Sequence, residues 1–261
     1  MRTPLLAALL LVACIPAAVA APERPMPAEG RPSFPPAWAQ RHALQQMLDR
    51  RQIVSCGGGH GDAVALTFDD GPSPYTEQLL RILQRNGAHA TFFDVGNRLA
   101  YWPHAAYAEA RVGGVGNHTW SHAHLTRLPH LLVWLELMRT QFEVDSQIGW
   151  KPRLFRTPYA EHSHATDDIS LRLGLVEVFW NVDARDDIPH ARVGAVVRNV
   201  ERGLRPGSII LLHDLHPWTV RALPRILQAI HVRGLRAVSV QELLAIDSPA
   251  RGQRCPYDSS S

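Results

Sequence analysis

The feature that most constrains the fold is a regular alternation of short apolar runs and amphipathic segments from residue 56 onward. Runs such as AVALTF and SIILLHD are each followed by apolar residues at helical spacing, as in TEQLLRILQRNG and WTVRALPRILQAIHVRG. A helix between two strands returns the chain to the same end of the sheet, so the strands pair in parallel. The pattern therefore predicts an α/β fold of mostly parallel strands with outer helices, either open or closed into a barrel.

The length and composition favour one folded domain with extensions. The chain has 261 residues, of which 46% are hydrophobic, enough for a single sizeable core. Residues 21–55 combine a Pro-rich linker with a short amphipathic helix over 38–51, and residues 128–149 predict a longer helix that ends at Gly149. We expect the main domain over 56–246 and a C-terminal tail over 247–261.

The first 20 residues have the pattern of a secretory signal peptide. One Arg precedes a Leu/Ala-rich run, and Ala18-Val19-Ala20 forms an A-x-A cleavage site. A second interpretation is a lipoprotein signal, because Leu11-Val12-Ala13 leads directly to Cys14, which would then be lipidated at the mature N-terminus. Both interpretations predict a secreted or periplasmic domain, in the second case lipid-anchored at the cell envelope.

Cysteine content and charge add two expectations. With Cys14 in the signal, Cys56 and Cys255 remain, and an oxidising compartment would favour a disulfide between them that ties together the two ends of the domain. The alternative is two unrelated free thiols. The net charge is only +3 and no basic run is present, so nucleic-acid binding is not expected.

Two adjacent carboxylates, Asp69 and Asp70, end the first apolar run in the sequence LTFDDGP. Neighbouring side chains of a strand point to opposite faces, and two adjacent acids repel unless a cation lies nearby or the chain bends. A metal ion beside the pair would remove the repulsion. A simple turn at Gly71-Pro72 is the competing interpretation.

The segment HTWSH supplies His118 and His122 at i, i+4 spacing, which would place both rings on one face of a helical turn. Two imidazoles and one carboxylate form the three-ligand set of a catalytic zinc site, with a fourth position left for water. The competing interpretation is a pair of solvated helix histidines.

Three further polar residues each lie at or near the end of an apolar run. They are Arg156 in FRTPY, Asp183 in WNVDARDD and His213 in ILLHD. The carboxyl ends of parallel strands are where α/β folds place their sites, so we expect these side chains to meet the aspartates and histidines there.

The ordered set TFDDGP, HTWSH, RTPY, DARDD and LLHD resembles the five motifs of the polysaccharide deacetylases, the NodB-homology domain of carbohydrate esterase family 4. The resemblance covers about residues 63–246 and implies a distorted (β/α) barrel. Two positions depart from the family pattern: Asp187 replaces a Trp, and Ala160 replaces a Gly.

The resemblance also implies a role for each motif residue. Asp70, His118 and His122 would ligate a divalent metal, zinc by preference, with cobalt or nickel as alternatives. Asp69 would be the general base and His213 the general acid. Arg156 would hold the base, Asp183 would orient His213 and raise its pKa, and the backbone N–H of Tyr159 would help to bind the oxyanion.

The function implied is the metal-dependent removal of N-acetyl groups from an extracytoplasmic polysaccharide such as peptidoglycan, chitin-type polymers or exopolysaccharide. The enzyme would be a hydrolase of non-peptide C–N bonds, and we expect a monomer whose partner is its polysaccharide substrate. Two alternatives remain open: an O-deacetylase such as an acetylxylan esterase, and a non-catalytic cell-wall glycan-binding protein.

Overall fold

The computed structural model describes residues 34–253 and 255, so the predicted signal peptide and most of the Pro-rich linker lie outside the described residues. The helices are α1 (Ala37–Asp49), α2 (Thr76–Arg85), α3 (Gly96–Leu99), α4 (Ala105–Ala110), α5 (His130–Ile148), α6 (His164–Arg172), α7 (Val193–Gly203), α8 (Pro217–Val232) and α9 (Val240–Ile246). The strands are β1 (Ala63–Gly71), β2 (Ala90–Asp94), β3 (Gly113–Asn117), β4 (Leu154–Phe155), β5 (Val176–Glu177), β6 (Val182–Asp183), β7 (Ile209–His213) and β8 (Arg236–Val238).

These strands form one curled parallel sheet in the order β5-β4-β3-β2-β1-β7-β6, with β8 paired to the first part of β1. The outermost strands are β5 on one side and β6 on the other, and a single parallel bridge joins Val54 to Val178 just after β5. The prediction of an α/β fold of the distorted barrel type is thus confirmed. All strand pairs are parallel, so their carboxyl ends lie along one edge, as the motif positions required.

The predicted strand VEVFWNV is wrong in one respect, because the chain forms two short strands there. β5 pairs with β4 and β6 pairs with β7, so the segment between them crosses from one end of the sheet to the other. The carbonyls of Val178 and Phe179 accept hydrogen bonds from the Arg156 side chain instead of pairing with a neighbouring strand.

Alternating side chains of β1 divide between two apolar clusters. Val64, Leu66 and Phe68 pack against the outer helices, whereas Ala63 and Ala65 face the interior of the curled sheet. This period of two continues through Thr67 to Asp69, which places Asp69 on the interior face at the carboxyl edge.

Helix α1 belongs to the same packed unit. Ala43, Leu44 and Met47 are buried in the interior cluster together with Leu243 and Leu244 of α9. The predicted helix over 38–51 is confirmed, but the predicted domain boundary at residue 56 divides a unit that begins at least as early as α1.

Cys56 and Cys255 are joined by a disulfide across a sequence separation of 199 residues, as the sequence predicted. Among the described residues, we find no helix that combines the length and the apolar character needed to cross a bilayer.

Replacing both cysteines by serine is expected to lower the free energy of unfolding by about 2–5 kcal/mol, because the bond restricts the unfolded chain over most of its length. Urea unfolding of the oxidised protein, the reduced protein and the double variant measures this. The reduced protein should match the variant, and equal stability of all three would contradict the prediction.

Candidate active site

The adjacent aspartates are brought to one side of β1 by a distortion of the strand. The pairing with β2 shifts register between Asp69 and Gly71, and Asp70 has a left-handed backbone with φ of 71°. In a regular strand Asp70 would face the outer helices. The irregularity instead turns its carboxylate towards His118, the histidine that Asp69 also approaches.

His118 and His122 lie in an irregular loop after β3, so the prediction of a helical turn is wrong. Thr119 and His122 both have positive φ, 66° and 57°, which breaks helical periodicity. Asn117 accepts a hydrogen bond from the backbone N–H of Thr119 through its side chain. Glu136 of α5 accepts from the backbone N–H groups of Trp120 and Ser121. The loop geometry therefore depends on side chains outside the motif.

The loop nevertheless brings both rings to Asp70. Asp70 Oδ1 lies 3.0 Å from His122 Nε2 and 3.4 Å from His118 Nε2. The ligand atoms of these three residues all lie within 4.8 Å of one another, a spacing that one metal ion can bridge.

The hydrogen bonds around the rings test whether these residues fit a metal. His118 Nδ1 lies 2.8 Å from the backbone carbonyl of Arg156, which can only accept, so Nδ1 carries the proton. His122 Nδ1 lies 3.0 Å from the Tyr159 hydroxyl, which itself donates to the His122 carbonyl. On neutral rings both Nε2 lone pairs then face Asp70 Oδ1, a buried atom that has no hydrogen-bond partner within the part of the chain that the structure describes. Three converging lone pairs fit a bound cation, and the set of two imidazoles and one carboxylate fits zinc.

Arg156 links Asp69 to the interior of the sheet. Its fully buried guanidinium donates from one nitrogen to Asp69 Oδ1 at 2.7 Å and to Thr67 Oγ1 at 2.8 Å. The remaining nitrogens donate to the carbonyls of Val178 and Phe179. This fixed cation directs the other oxygen of Asp69 towards His118, 3.8 Å away.

The carboxylate partner of His213 is Asp186, so the assignment of Asp183 to that role is wrong. Asp186 Oδ1 lies 2.9 Å from His213 Nδ1, and Asp186 Oδ2 accepts from the backbone N–H of His213 at 2.9 Å. Thr219 also donates to Asp186 Oδ2. Asp183 instead accepts the backbone N–H of Arg185, whose φ of 51° turns the chain so that Asp186 reaches the histidine.

The protonation of His213 follows from this partner. Burial alone would lower the pKa of His213, but the hydrogen bond and the charge of Asp186 outweigh it and raise the pKa to about 10. The charges of Asp69 and Asp70 act in the same direction. His213 is therefore an imidazolium at neutral pH, and its Nδ1 proton is committed to Asp186, which leaves the Nε2 proton for a substrate.

Comparison with known proteins agrees with this geometry. Residues 57–178 match the family model described as polysaccharide deacetylase. Chitooligosaccharide deacetylase from Bradyrhizobium is 34% identical over 200 residues, which cover 69% of this chain and 90% of that protein. The chain belongs to the polysaccharide deacetylase family.

Other members of the family differ in size. Peptidoglycan-N-acetylglucosamine deacetylase PgdA from Listeria monocytogenes is 34% identical over 182 residues, and the match covers 69% of this chain but only 38% of PgdA. A family 4 carbohydrate esterase from Streptomyces lividans, solved with acetate, is 36% identical with a TM-score of 0.67. That match covers 74% of this chain and all of the esterase.

The structure gathers most of the predicted family residues at one edge of the sheet. Asp69, Asp70, His118, His122 and Arg156 are linked by direct contacts. Tyr159, predicted for its backbone N–H, also contacts the group through its hydroxyl. It follows Pro158 in a short 3-10 turn, has φ of 60°, and stacks on His124 at 3.8 Å.

Three residues that support this family site were missed in the sequence. Thr67 contacts Arg156, Glu136 shapes the histidine loop, and Asp186 pairs with His213. Thr67 could have been found from its position two residues before Asp69 on the same face of β1. Glu136 lies within the long helix α5, where no local pattern distinguishes it from a solvent-facing acid.

Tyr159→Phe is expected to weaken zinc binding by about 10-fold, because the hydroxyl is the partner that directs His122 Nε2 towards Asp70. Competition with a fluorescent zinc chelator measures the affinity. Tyr101→Phe makes the same change at an exposed tyrosine and is the matched control. Equal affinity of both variants and the wild type would contradict a role for the hydroxyl.

Proposed function

We propose that this protein is a metal-dependent hydrolase that removes N-acetyl groups from an extracytoplasmic polysaccharide, acting on a C–N bond other than a peptide bond. The observation that carries the proposal is the convergence of a metal-ligand set, an aspartate held by a buried arginine, and a charged histidine. Asp69 contacts His118 of the ligand set, and the charges of Asp69 and Asp70 both act on His213.

The ligand set supplies one part of the chemistry. Asp70, His118 and His122 would hold a divalent cation, by preference zinc, whose Lewis acidity polarises the acetyl carbonyl and makes water a better nucleophile. An acetamide is a poor electrophile, so attack by water at neutral pH requires such assistance.

Asp69 is the proposed base that takes the proton of the attacking water. Its Oδ1 is occupied by Arg156, which leaves Oδ2 on the side of His118 for that proton. Arg156 acts only as a donor and cannot accept that proton from Asp69.

His213 is the proposed acid that protonates the departing amine nitrogen. An amine anion is a very poor leaving group, so C–N cleavage needs a proton delivered to nitrogen. Asp186 keeps His213 charged and leaves Nε2 as the donor. Base and acid are thus separate groups, and each is held by its own charged partner, Arg156 for Asp69 and Asp186 for His213.

The backbone N–H of Tyr159 is proposed to donate to the oxyanion that forms at the acetyl carbon. Its support is position: the turn at Tyr159 is attached to His122 through the side-chain hydroxyl. A preorganised donor at this point would stabilise the developing charge by about 3 kcal/mol.

The relatives and the covalent structure support the proposed substrate class and compartment. PgdA is named for peptidoglycan N-acetylglucosamine and the Bradyrhizobium protein for chitooligosaccharide, both built on N-acetylated sugars. The disulfide between Cys56 and Cys255 is of a kind that persists outside the cytoplasm. We therefore place the activity in the periplasm or outside the cell; Cys14 and the signal lie outside the described residues.

Acetate release from a substrate panel tests the proposed function. The zinc-loaded protein is incubated with N-acetylglucosamine oligomers, peptidoglycan and acetylated xylan, with Asp70→Asn as the metal-site control. Release from an N-acetylated polymer by the wild type alone is expected. Release from xylan alone would favour the O-deacetylase, and no release from any polymer would contradict a deacetylase and favour a glycan-binding protein.

A further inference from the structure

A second group of potential metal ligands lies outside the active site. His162, Asp167 and Glu177 each offer one ligand atom, and these atoms all lie within 4.8 Å of one another. None of the three belongs to the set formed by Asp70, His118 and His122. His162 Nδ1 lies 3.2 Å from both carboxylate oxygens of Asp167.

Within the described part of the chain, the carboxylate of Glu177 is buried without the partner that a buried charged or polar group needs. The residue is only 4% exposed, yet neither of its carboxylate oxygens has a hydrogen-bond partner among the described residues. The carboxylates of Glu177 and Asp167 offer ligand atoms that lie within 4.8 Å of each other. Two adjacent carboxyl groups are stabilised either by a shared proton or by a cation between them.

The surroundings provide room for a bound ion. A cavity of about 140 Å³ lies between the end of α1 and helix α6, and its lining includes Asp167 and Glu177. Gln52 also lines this cavity, and its side-chain carbonyl oxygen is buried with no hydrogen-bond partner in residues 34–253 or 255. The cavity is large enough for water to complete the coordination of an ion.

We propose that His162, Asp167 and Glu177 form a second metal site that binds a divalent transition metal such as zinc. One imidazole and two carboxylates suit zinc, whereas calcium and magnesium take oxygen ligands and would leave the imidazole without a role. The ion would satisfy both orphaned oxygens of Glu177 and the charge of Asp167 at the same time.

The location of the site assigns it a structural role. Asp167 lies in the first turn of α6, His162 precedes that helix, and Glu177 ends β5. A bound ion would therefore join the segment that follows Tyr159 to the strand that leads to Val178. The Val178 carbonyl accepts a hydrogen bond from Arg156, which in turn holds the proposed base Asp69. The ion would therefore stabilise the backbone that positions Arg156.

Zinc stoichiometry tests the proposal. The chelator-treated full protein is loaded with zinc, freed of excess metal, and analysed for zinc per chain. The wild type should retain about two ions, whereas Asp70→Asn and Glu177→Gln should each retain about one and the double variant almost none. If Glu177→Gln retains as much zinc as the wild type, the proposal is overturned and a shared proton explains the carboxyl pair.

Asp167→Asn and Asp168→Asn form a matched pair. Asp168 is adjacent in the chain and lines the same cavity, but it pairs with Arg51 and contributes no ligand atom to the group. Asp167→Asn should lose about one zinc ion and Asp168→Asn should lose none. Equal zinc loss in both variants would contradict the assigned ligand set.

Thermal unfolding provides a readout that does not depend on catalysis. In the Asp70→Asn background, zinc at about a hundredfold excess over its dissociation constant should raise Tm by roughly 5–10 °C, and adding Glu177→Gln should abolish the rise. If zinc does not raise the Tm of the Asp70→Asn protein, the proposal of a second site is overturned. The proposal that the protein is a deacetylase does not depend on this result.

Discussion

Asp69→Asn is expected to lower kcat for acetate release by about 10³-fold while zinc binding by the Asp70 group is retained. An amide in place of the carboxylate cannot take the proton of the attacking water. The proposed metal ligands Asp70, His118 and His122 are unchanged, so the variant separates loss of the base from loss of the metal. Steady-state acetate release and zinc content, measured on the same preparation, give both quantities.

The control for this prediction must account for Arg156, which loses its ionic partner deep in the interior of the sheet. Leaving a buried charge unpaired costs about 3–5 kcal/mol of stability, so folding is checked by circular dichroism at the assay temperature. Asp62→Asn makes the same substitution at an exposed aspartate paired with Arg236 and should retain full activity. A folded Asp69→Asn protein within about tenfold of the wild-type kcat would contradict the assignment of the base.

Asp186→Asn is expected to move the alkaline limb of the kcat–pH profile to lower pH by about three units. The acid acts only when protonated, so activity falls as pH rises through the pKa of His213. With Asp186 present that pKa is raised to about 10, so His213 stays protonated through the neutral range. Without the carboxylate, burial lowers the pKa of His213 to its ordinary range or below, and at pH 8 activity should fall by about 10–100-fold.

Asp183→Asn is the matched control, because the two aspartates are three positions apart and only Asp186 contacts the histidine ring. The Asp183 variant should keep the wild-type alkaline limb. A shift of the alkaline limb in Asp183→Asn but not in Asp186→Asn would contradict the pairing of Asp186 with His213. It would instead support Asp183, the partner that the motif resemblance implied. A pH series of kcat over about pH 6–10 distinguishes the outcomes.

These two aspartates mark a limit of prediction from sequence. The resemblance identified the motif DARDD, but three of its residues are acids and spacing alone does not say which one reaches the histidine. The answer depends on the left-handed conformation of Arg185, a non-glycine residue whose backbone is fixed by the surrounding fold. Tertiary context of this kind leaves no periodic signal in the sequence.

The alternation of strands and helices can be predicted from the sequence because buried side chains recur with a period of about 2 in strands and about 3.6 in helices. The β1, α2, β7 and α8 segments were predicted for this reason, and Asp69 follows from the same period of two. The run at 176–183 has strand composition throughout, and its division into β5 and β6 arises from carbonyls that accept hydrogen bonds from Arg156. The prediction of a helical turn for the histidine loop failed for a similar reason. The two rings come together through turns held by the side chains of Asn117 and Glu136, and the i, i+4 spacing does not reveal these turns.

Acetate release by the chelator-treated protein, before and after zinc is added, tests the proposed metal-dependent deacetylase most directly. The substrate is the N-acetylated polymer that the wild type deacetylates fastest, and Asp70→Asn is assayed in parallel. We expect no release by the treated wild type, full recovery with zinc, and no recovery in Asp70→Asn, which lacks a ligand of the set. Release that is unaffected by metal removal, or that zinc restores equally in Asp70→Asn, would contradict catalysis at the Asp70, His118 and His122 site.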